Sequence, residues 1–380
     1  MSDSLTRGLS LPRIRRLRLS PILTGYIARQ FVMRFASFFF GLCGIIFLVS
    51  VVDLLDRLAN KPDVGIGTIL LMVLLKTPFL SQEIMPFTIL FASMACFWRL
   101  TRSNELVVAR SAGVSVWQFL LPVVSAAFLI GVLTIAVLNP VASILQSRYQ
   151  TMESELFRTD GSVLAVKRTG LWLRQADPEG QSVIHAQSVS PDIMTLNEVI
   201  IFRFGENDRF LGRIDAPKAE LGEGSWQLYD AWEAVPGQQP HFTERLSVAT
   251  DLTPDKIQDS FAPPETVSFW SLPGFIALLE RAGFSGHRHR LQFHRLLSTP
   301  VLFVAMILIA ATFSLRPQRR GRVGLLILSG IAVGFLLHLM SNFVFALGLS
   351  TRLPVELAGW TPAGVSLMLG ITLLLHLEDG

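Results

Sequence analysis

The sequence predicts an α-helical integral membrane protein with six transmembrane helices and an inserted extracytoplasmic antiparallel β domain. Three observations predict this fold class. Hydrophobic residues make up 51% of the 380 residues and charged residues only 16%, a balance too apolar for an ordinary soluble protein. Six apolar segments are long enough to cross a hydrocarbon core about 30 Å thick. A stretch of β-forming residues separates the third segment from the fourth.

Each of the six segments has the length of about 20 residues that a spanning helix needs. They cover roughly residues 35–55, 78–98, 118–138, 296–315, 323–347 and 359–377. An apolar stretch from Ile66 precedes the second segment, and the two together are longer than a bilayer requires. Part of this stretch is therefore expected to project beyond the bilayer or lie along it, with bends at Pro78 and Pro86.

The distribution of arginines predicts the orientation. They are concentrated before the first segment, after the second and after the fourth: Arg13, Arg15, Arg16, Arg18, Arg29 and Arg34; Arg99, Arg102 and Arg110; Arg316, Arg319, Arg320 and Arg322. With six spans these regions fall on one side, which the positive-inside rule makes the cytoplasm. Both termini are then expected in the cytoplasm. The first residues lack the small-residue cleavage site of a signal peptide, so the basic stretch from Arg13 to Arg18 is expected to stay inside.

The insert between the third and fourth segments has a different pattern. Short runs of β-formers are separated by turn signals: "SVLAVKRTGLWLR", "SVIHAQSV", "EVIIFRF" and "SWQLYDAW". Residues 199–204 alternate with a period of two, which predicts a strand with one face buried more deeply than the other. The string "SLPGFIALLERAG" at 271–283 then has the cap, early proline and terminal glycine of a short helix.

Three common nucleotide-binding and catalytic motifs are missing from the sequence. It contains no phosphate-binding glycine loop ending in Gly-Lys-Ser or Gly-Lys-Thr, no His-Glu-x-x-His pattern and no Gly-x-Ser-x-Gly elbow. The histidines of "HRHRLQFHR" (His287, His289 and His294) have spacings that do not converge on a metal as i and i+4 do, so a basic membrane-interface patch is the simpler interpretation. Lys76 and Glu83 share a helical face and are the best candidates for a membrane-embedded enzyme. No catalytic residue, metal site or nucleic-acid partner is predicted.

Two strings carry a family resemblance. "NELVVARSAGVS" (104–115) follows a proline-containing span with "LSQEIMPFTILFAS" (80–93), and the order of elements is three spans, a β domain and three spans. This combination resembles the lipopolysaccharide-export permease family of the YjgP/YjgQ or LptF/LptG type. "GLWLR" (170–174) and "LTPDKI" (252–257) are more similar to LptG than to its paralogue LptF.

The resemblance implies a fold and a set of partners. Residues 1–140 would form the N-terminal cytoplasmic segment and spans 1–3, residues 141–270 a periplasmic β-jellyroll-like domain, and residues 271–380 an interfacial helix and spans 4–6. The chain would be the inner-membrane permease subunit of an ABC transporter for lipopolysaccharide. It would work with an LptF-like paralogue, an LptB-like cytoplasmic ATPase dimer that binds the ATP and Mg²⁺, and a periplasmic LptC/LptA-like jellyroll bridge. A membrane-embedded envelope enzyme or a lipid-acting scaffold is the alternative.

The resemblance also implies a coupling helix near residues 103–113, which would dock on the ATPase. The residues assigned to coupling are Arg102, Ser103, Asn104, Glu105 and Arg110. Ser103 or Asn104 is expected to cap the helix, and the helix dipole favours a carboxylate at Glu105, which can pair with an arginine of the ATPase. The family commonly has serine where this chain has Asn104. The alternative is an interfacial helix that only links two spans.

Cationic residues on the extracytoplasmic side are the candidates for lipid binding: Arg57, Lys61, Lys76, Arg288, Arg290 and Arg295. The positive-inside rule predicts few arginines there, and guanidinium groups bind phosphate through paired hydrogen bonds. Arg288 and Arg295 are seven residues apart, so one continuing helix would present both on the same face. Snorkelling to anionic phospholipid is the alternative. G-like members tend to have a lysine in the first span where this chain has Ser50, so the contact on that helix is expected at Arg57 or Lys61.

Overall fold

The computed structural model describes residues 21–59, 64–157, 163–167, 170–177, 180–190, 195–205, 209–222, 224–250, 262–281, 284–315 and 323–378. Six helices in this part of the chain are long and apolar enough to cross a membrane, which confirms the predicted number. The helices are α1 (Pro21–Leu58), α2 (Ile66–Arg102), α3 (Glu105–Ser111), α4 (Val116–Leu133), α5 (Asn139–Phe157), α6 (Leu272–Arg281), α7 (His287–Ser314), α8 (Val323–Leu349) and α9 (Val355–Glu378).

Several predicted features lie outside the described residues. They are Lys61, the arginines before Pro21, the arginines at 316–322 and the string at 252–257. Within the described part, α1 begins well before the predicted first span, and α2 runs without a break through Pro78 and Pro86.

The third span continues further than the sequence suggests, because α4 and α5 are joined by a π-helical turn, Thr134–Leu138. Pro140 has no N–H to donate to the carbonyl of Ala136, four residues earlier. The indole Nε1 of Trp270 donates to that carbonyl instead, at 3.2 Å. The wider turn and this substitute donor let the helix pass Pro140 and continue to Phe157, so the β strands begin only at Val163.

Helix α7 forms the centre of the bundle. In the most apolar 18-residue stretch of α7, 67% of the residues are buried inside the protein. The corresponding share is 6% for α1 and 17% for α8. The main apolar cluster brings α7 together with α2, α4 and the first turns of α1. Helices α4 and α7 approach closely at Gly131, where an added Cβ would lie 2.6 Å from the Cα of Pro300.

The β domain is one antiparallel sheet of seven described strands that pair in sequence order. They are β1 (Val163–Lys167), β2 (Gly170–Asp177), β3 (Gly180–Ser190), β4 (Thr195–Phe204), β5 (Phe210–Gly222), β6 (Ser225–Ala234) and β7 (His241–Ala249). The order is a meander, and the jellyroll that the family resemblance implies stays a prediction. The alternation predicted for β4 is confirmed, since Val199 and Ile201 are buried whereas Ile200 and Phe202 are half-buried.

Pro217 interrupts the centre of this sheet. It lies in β5, opposite Glu198 of β4 and Asp230 of β6, and strand pairing skips all three positions. Proline cannot donate to a neighbouring strand, and both opposing residues have a left-handed backbone, with φ of 51° and 53°. The interruption therefore runs in a line across the sheet, where it allows the strands to bend.

One face of the sheet packs on helix α6. Leu279 and Phe284 join the buried side chains of the strands, among them Trp226, in a single cluster. On the exposed β5 and β6 surface, Lys218 and Tyr229 donate hydrogen bonds to Glu220 at 2.6 and 2.9 Å. These bonds hold the pKa of the Glu220 carboxyl below its usual value.

We predict that Gly131→Ala destabilises the protein, because the new methyl group would collide with the backbone of Pro300. Overpacking of this kind typically costs about 1–3 kcal/mol. Thermal unfolding in detergent should show a lower melting temperature. Gly44→Ala is the matched control, since its Cβ would meet nothing within 4 Å. Equal melting temperatures for the two variants would contradict the close helix approach.

Candidate functional site

One end of the bundle gathers the start of α1, the end of α2, α3 and the end of α7. The guanidinium Nη1 of Arg99 donates to Oε1 of Gln30 at 3.1 Å, and Thr101 Oγ1 donates to the Ser314 carbonyl at 3.3 Å. Helix α3 lies inside the region predicted to contain the coupling helix. The contacts therefore join the end of α2, directly before α3, to α1 and α7.

Helix α3 has a buried side and an exposed side. Leu106 is 4% exposed and belongs to the main apolar cluster of the bundle, whereas Val107 and Val108 are 60% and 65% exposed. Arg110 is exposed in the last turn. Val107, Val108 and Arg110 are called the α3 surface below. Adjacent exposed valines on a helix of seven residues offer apolar area for a partner.

The predicted side-chain cap of α3 is not formed. Asn104 is the N-cap residue, but its side chain makes no capping hydrogen bond and its φ is 59°. Asparagine tolerates this left-handed conformation better than serine, which gives a structural reason for asparagine at this position. Ser103 instead donates to the Arg99 carbonyl at 3.0 Å and to Oε1 of Glu105 at 2.8 Å.

Glu105 faces the neighbouring helices and is half-buried. Its Oε1 accepts hydrogen bonds from Ser103 and, at 3.4 Å, from the hydroxyl of Tyr26 on α1. Arg102 is exposed, with its guanidinium 5.4 Å from the ring centroid of Trp98. The carboxylate therefore links α3 to α1 within this chain.

A cleft of about 730 Å³ opens at the other end of the bundle, between α2, α7, α8 and the segment around Glu265. Arg288 and Arg295 both line it, together with Glu83 and His287. The cleft adjoins a deeper chamber between α2, α7, α8 and α9, which shares Glu83 and Arg295. The two arginines are thus on one face of α7 and open into one space.

Arg295 is already paired in this cleft. Its Nη2 lies 3.2 Å from both carboxylate oxygens of Glu83, and its guanidinium is 4.9 Å from the ring centroid of Phe345. Both charged side chains are 38% exposed. In the deeper chamber, Asn342 and His338 are hydrogen-bonded at 3.0 Å. The cleft therefore combines an ion pair, uncharged polar groups and aromatic walls.

The other lipid-binding candidates have separate partners. Arg57 pairs with Asp53 at 3.2 Å one turn earlier on α1, and Arg290 pairs with Glu280 on α6. The ammonium of Lys76 lies 5.3 Å from the ring centroid of Tyr149. Of the five candidates that the structure describes, Arg288 and Arg295 line the cleft.

The side chains considered for catalysis or metal binding also have separate partners. Lys76 contacts Tyr149, whereas Glu83 pairs with Arg295. His287 Nε2 hydrogen-bonds the Gly348 carbonyl at 2.6 Å, and His289 Nε2 bonds the Ala262 carbonyl at 3.0 Å. Among the described residues, no group of three or more His, Cys, Asp and Glu side chains could hold a metal ion.

A comparison with protein families gives the decisive observation. The family model described as lipopolysaccharide export system permease LptF/LptG matches residues 25–376. The chain belongs to the LptF/LptG family. This confirms the resemblance, and it identifies the chain as a multi-pass membrane permease of the lipopolysaccharide export type.

Individual relatives agree with this assignment. The chain is 23% identical over 361 residues to the lipopolysaccharide export system permease protein LptG of Escherichia coli (strain K12). The aligned region covers 93% of this chain and 98% of the relative. It is 25% identical over 276 residues to the LptG protein of Haemophilus influenzae, covering 69% of this chain and 73% of the relative. The similarity to LptG therefore extends over both membrane halves and the β domain.

Sequence reasoning missed the α1 partners of the coupling region. Tyr26 is 79 residues from Glu105 in the chain, and Gln30 is 69 residues from Arg99. The sequence offers one signal for such contacts: the polar residues Tyr26 and Gln30 lie one turn apart near the start of an apolar helix.

We predict that Glu83→Gln and Arg295→Gln each lower the melting temperature of the purified protein, since each leaves a charge in the cleft without its partner. The double variant should lose less than the sum of the two single losses. Partly exposed pairs of this type contribute about 0.2–1 kcal/mol, so the coupling is small. A double-mutant cycle of melting temperatures measures it, and strict additivity would contradict a direct ion pair.

Proposed function

We propose that the chain is the LptG-like permease subunit of an ABC transporter that extracts lipopolysaccharide from the outer leaflet of the inner membrane and passes it to a periplasmic bridge. The observation that carries the proposal is the family match over nearly the whole chain. A helix with an exposed apolar surface at one end of the bundle and an arginine-lined cleft at the other support it.

The proposed orientation has the α3 end in the cytoplasm and the β domain in the periplasm. The α3 end carries Arg29, Arg34, Arg99, Arg102 and Arg110, and such an accumulation of arginine favours the cytoplasmic side. Both termini are then cytoplasmic, and the cleft with Arg288 and Arg295 opens at the level of the outer leaflet.

In this proposal an LptB-like ATPase dimer binds ATP and Mg²⁺ and docks on the α3 surface. Val107 and Val108 supply an apolar contact and Arg110 a charged one. Glu105 then transmits the docking force into the bundle, because its carboxylate already bonds α1 through Tyr26. This differs from the sequence-based hypothesis, in which Glu105 met the ATPase directly.

An LptF-like paralogue is the proposed neighbour in the membrane. Helices α1 and α8 are the least buried of the six spans, since only 6% and 17% of their most apolar stretches lie inside the protein. In a membrane such faces contact lipid or another helix bundle. A second six-helix subunit against α1 and α8 would enclose a space for the lipid between the two halves.

The cleft is the proposed contact for the phosphates of the lipid cargo. Arg288 and Arg295 face one space, and phosphate accepts paired, charge-assisted hydrogen bonds from guanidinium groups. Because Glu83 already neutralises Arg295, a bound phosphate would have to displace the carboxylate or share the guanidinium with it. Arg288, which lines the same cleft, would be the second guanidinium in contact with the phosphate.

The β domain is the proposed route to the periplasmic bridge. Among the described strands, β1 and β7 are at the edges of the sheet, and an edge strand can pair with a strand of a similar neighbouring domain. An LptC/LptA-like protein would extend the sheet in this way and receive the lipid.

We predict that Glu105→Ala leaves folding and membrane insertion intact but reduces lipid transport several-fold, because α3 loses its bond to α1. Association with the ATPase, ATP hydrolysis and lipid release should be measured on the reconstituted complex. Glu356→Ala in the first turn of α9 is the control for loss of an exposed carboxylate. Wild-type association together with wild-type transport in the Glu105 variant would count against a coupling role.

We predict that changing Arg288 and Arg295 together to glutamine weakens binding of lipopolysaccharide by about tenfold or more, as expected for two lost charge-assisted contacts. Binding of phosphatidylglycerol should change little. Arg281→Gln is the control, because this exposed arginine bonds only its own helix, at the Ala277 carbonyl, among the contacts described. An equal loss for both lipids would support snorkelling instead.

A further inference from the structure

Helix α1 is most deeply buried near its two ends. Its buried residues are Ile27 and Phe31 near the start and Leu54 and Leu58 near the end. Between them lie exposed apolar side chains such as Phe40 and Val49, which are 72% and 62% exposed. The other side of this middle part is half-buried: Phe35 and Phe39 pack against the main apolar cluster. A long helix whose fully buried residues lie near its two ends is suited to transmit a displacement along its length.

The first attachment joins α1 to the coupling region. Tyr26 donates to Glu105, and Gln30, one turn further along the same face, accepts from Arg99. Ile27 and Phe31 pack in the same apolar cluster as Leu106, the buried residue of α3. The start of α1 is thus held to α3 and to the end of α2 by two polar contacts and an apolar one.

The second attachment joins α1 to the helix that leads into the β domain. Leu54 and Leu58 pack with Met72 of α2 and Tyr149 of α5. The hydroxyl of Tyr149 donates to Glu153 at 2.9 Å, one turn further along α5. Helix α5 ends at Phe157, shortly before the first strand begins.

We infer that α1 is a lever between the coupling helix and the stem of the β domain, and that the Tyr26 hydroxyl is the positioning group that fastens it to Glu105. This inference rests on the proposed coupling role of α3. At 1.5 Å per residue, the 38 residues of α1 extend about 57 Å. When the ATPase moves α3, the start of α1 follows, and the far end passes the movement to α5.

The test is Tyr26→Phe, which removes one hydroxyl and keeps the aromatic ring. Tyr229→Phe is the matched control, because Tyr229 also donates to a glutamate, Glu220, but on the β domain. Both variants are assembled with the ATPase and the partner permease in lipid nanodiscs. We expect ATP hydrolysis by the Tyr26 variant to remain within twofold of wild type, while the ATP consumed per lipid released rises at least threefold.

Movement is measured directly with spin-label pairs. The two described free cysteines, Cys43 and Cys96, are first replaced by alanine. One pair joins Val49 of α1 to Leu129 of α4, and a second joins Ser147 of α5 to Leu297 of α7; all four positions are exposed. In wild type, trapping with ATP and vanadate should change both distances. Tyr26→Phe should reduce both changes by at least half, and Tyr229→Phe should leave them intact.

The outcomes separate the lever from the coupling proposal. If Tyr26→Phe behaves like Tyr229→Phe in both assays while Glu105→Ala still uncouples transport, the lever inference is wrong and the coupling role stands. If Glu105→Ala also transports at the wild-type rate, the coupling proposal fails and the lever fails with it. Loss of both distance changes together with a raised ATP cost per lipid in Tyr26→Phe alone supports the lever.

Discussion

Hydrocarbon offers no hydrogen-bond partners, and this constraint determines where polar side chains occur in the structure. A buried backbone polar group within a span is costly unless it finds a partner inside the protein, and polar side chains are subject to the same cost. The polar contacts between different elements therefore gather at the two ends of the bundle. One set connects α1, α2, α3 and α7 near Glu105, and the other surrounds Glu83 and Arg295. Communication between the ends has to travel along the helices themselves.

The same constraint explains how the chain leaves the membrane for the β domain. Pro140 leaves the Ala136 carbonyl without its usual donor, and the indole of Trp270 supplies one. Asn139 next to it accepts from the Phe269 backbone N–H at 2.8 Å and donates to Gln82 at 3.2 Å. The helix therefore continues through Pro140, and the segment before α6 docks beside this proline on α5.

Local sequence patterns predicted the elements but few of the contacts between them. The apolar segments gave the number of spans, and the alternation at 199–204 gave strand β4. Strands β5 and β7 were missed, because Pro217 interrupts one and charged residues such as Glu244 and Arg245 occupy the other. Contacts such as Tyr26 with Glu105 depend on how distant helices pack, and no spacing rule within one helix encodes them. The predicted cap at Asn104 was wrong because its backbone is left-handed.

The pairing of Arg295 with Glu83 has a consequence for the proposed transport. An arginine without a partner in a half-buried cleft is costly, so the Glu83 carboxylate stabilises this end of the bundle. In the proposed transport, an arriving phosphate would replace one ion pair with another, and only the difference between them would contribute to affinity. A permease must release its cargo as well as bind it. Glu83 would make release easier, because it could return to Arg295 as the phosphate leaves.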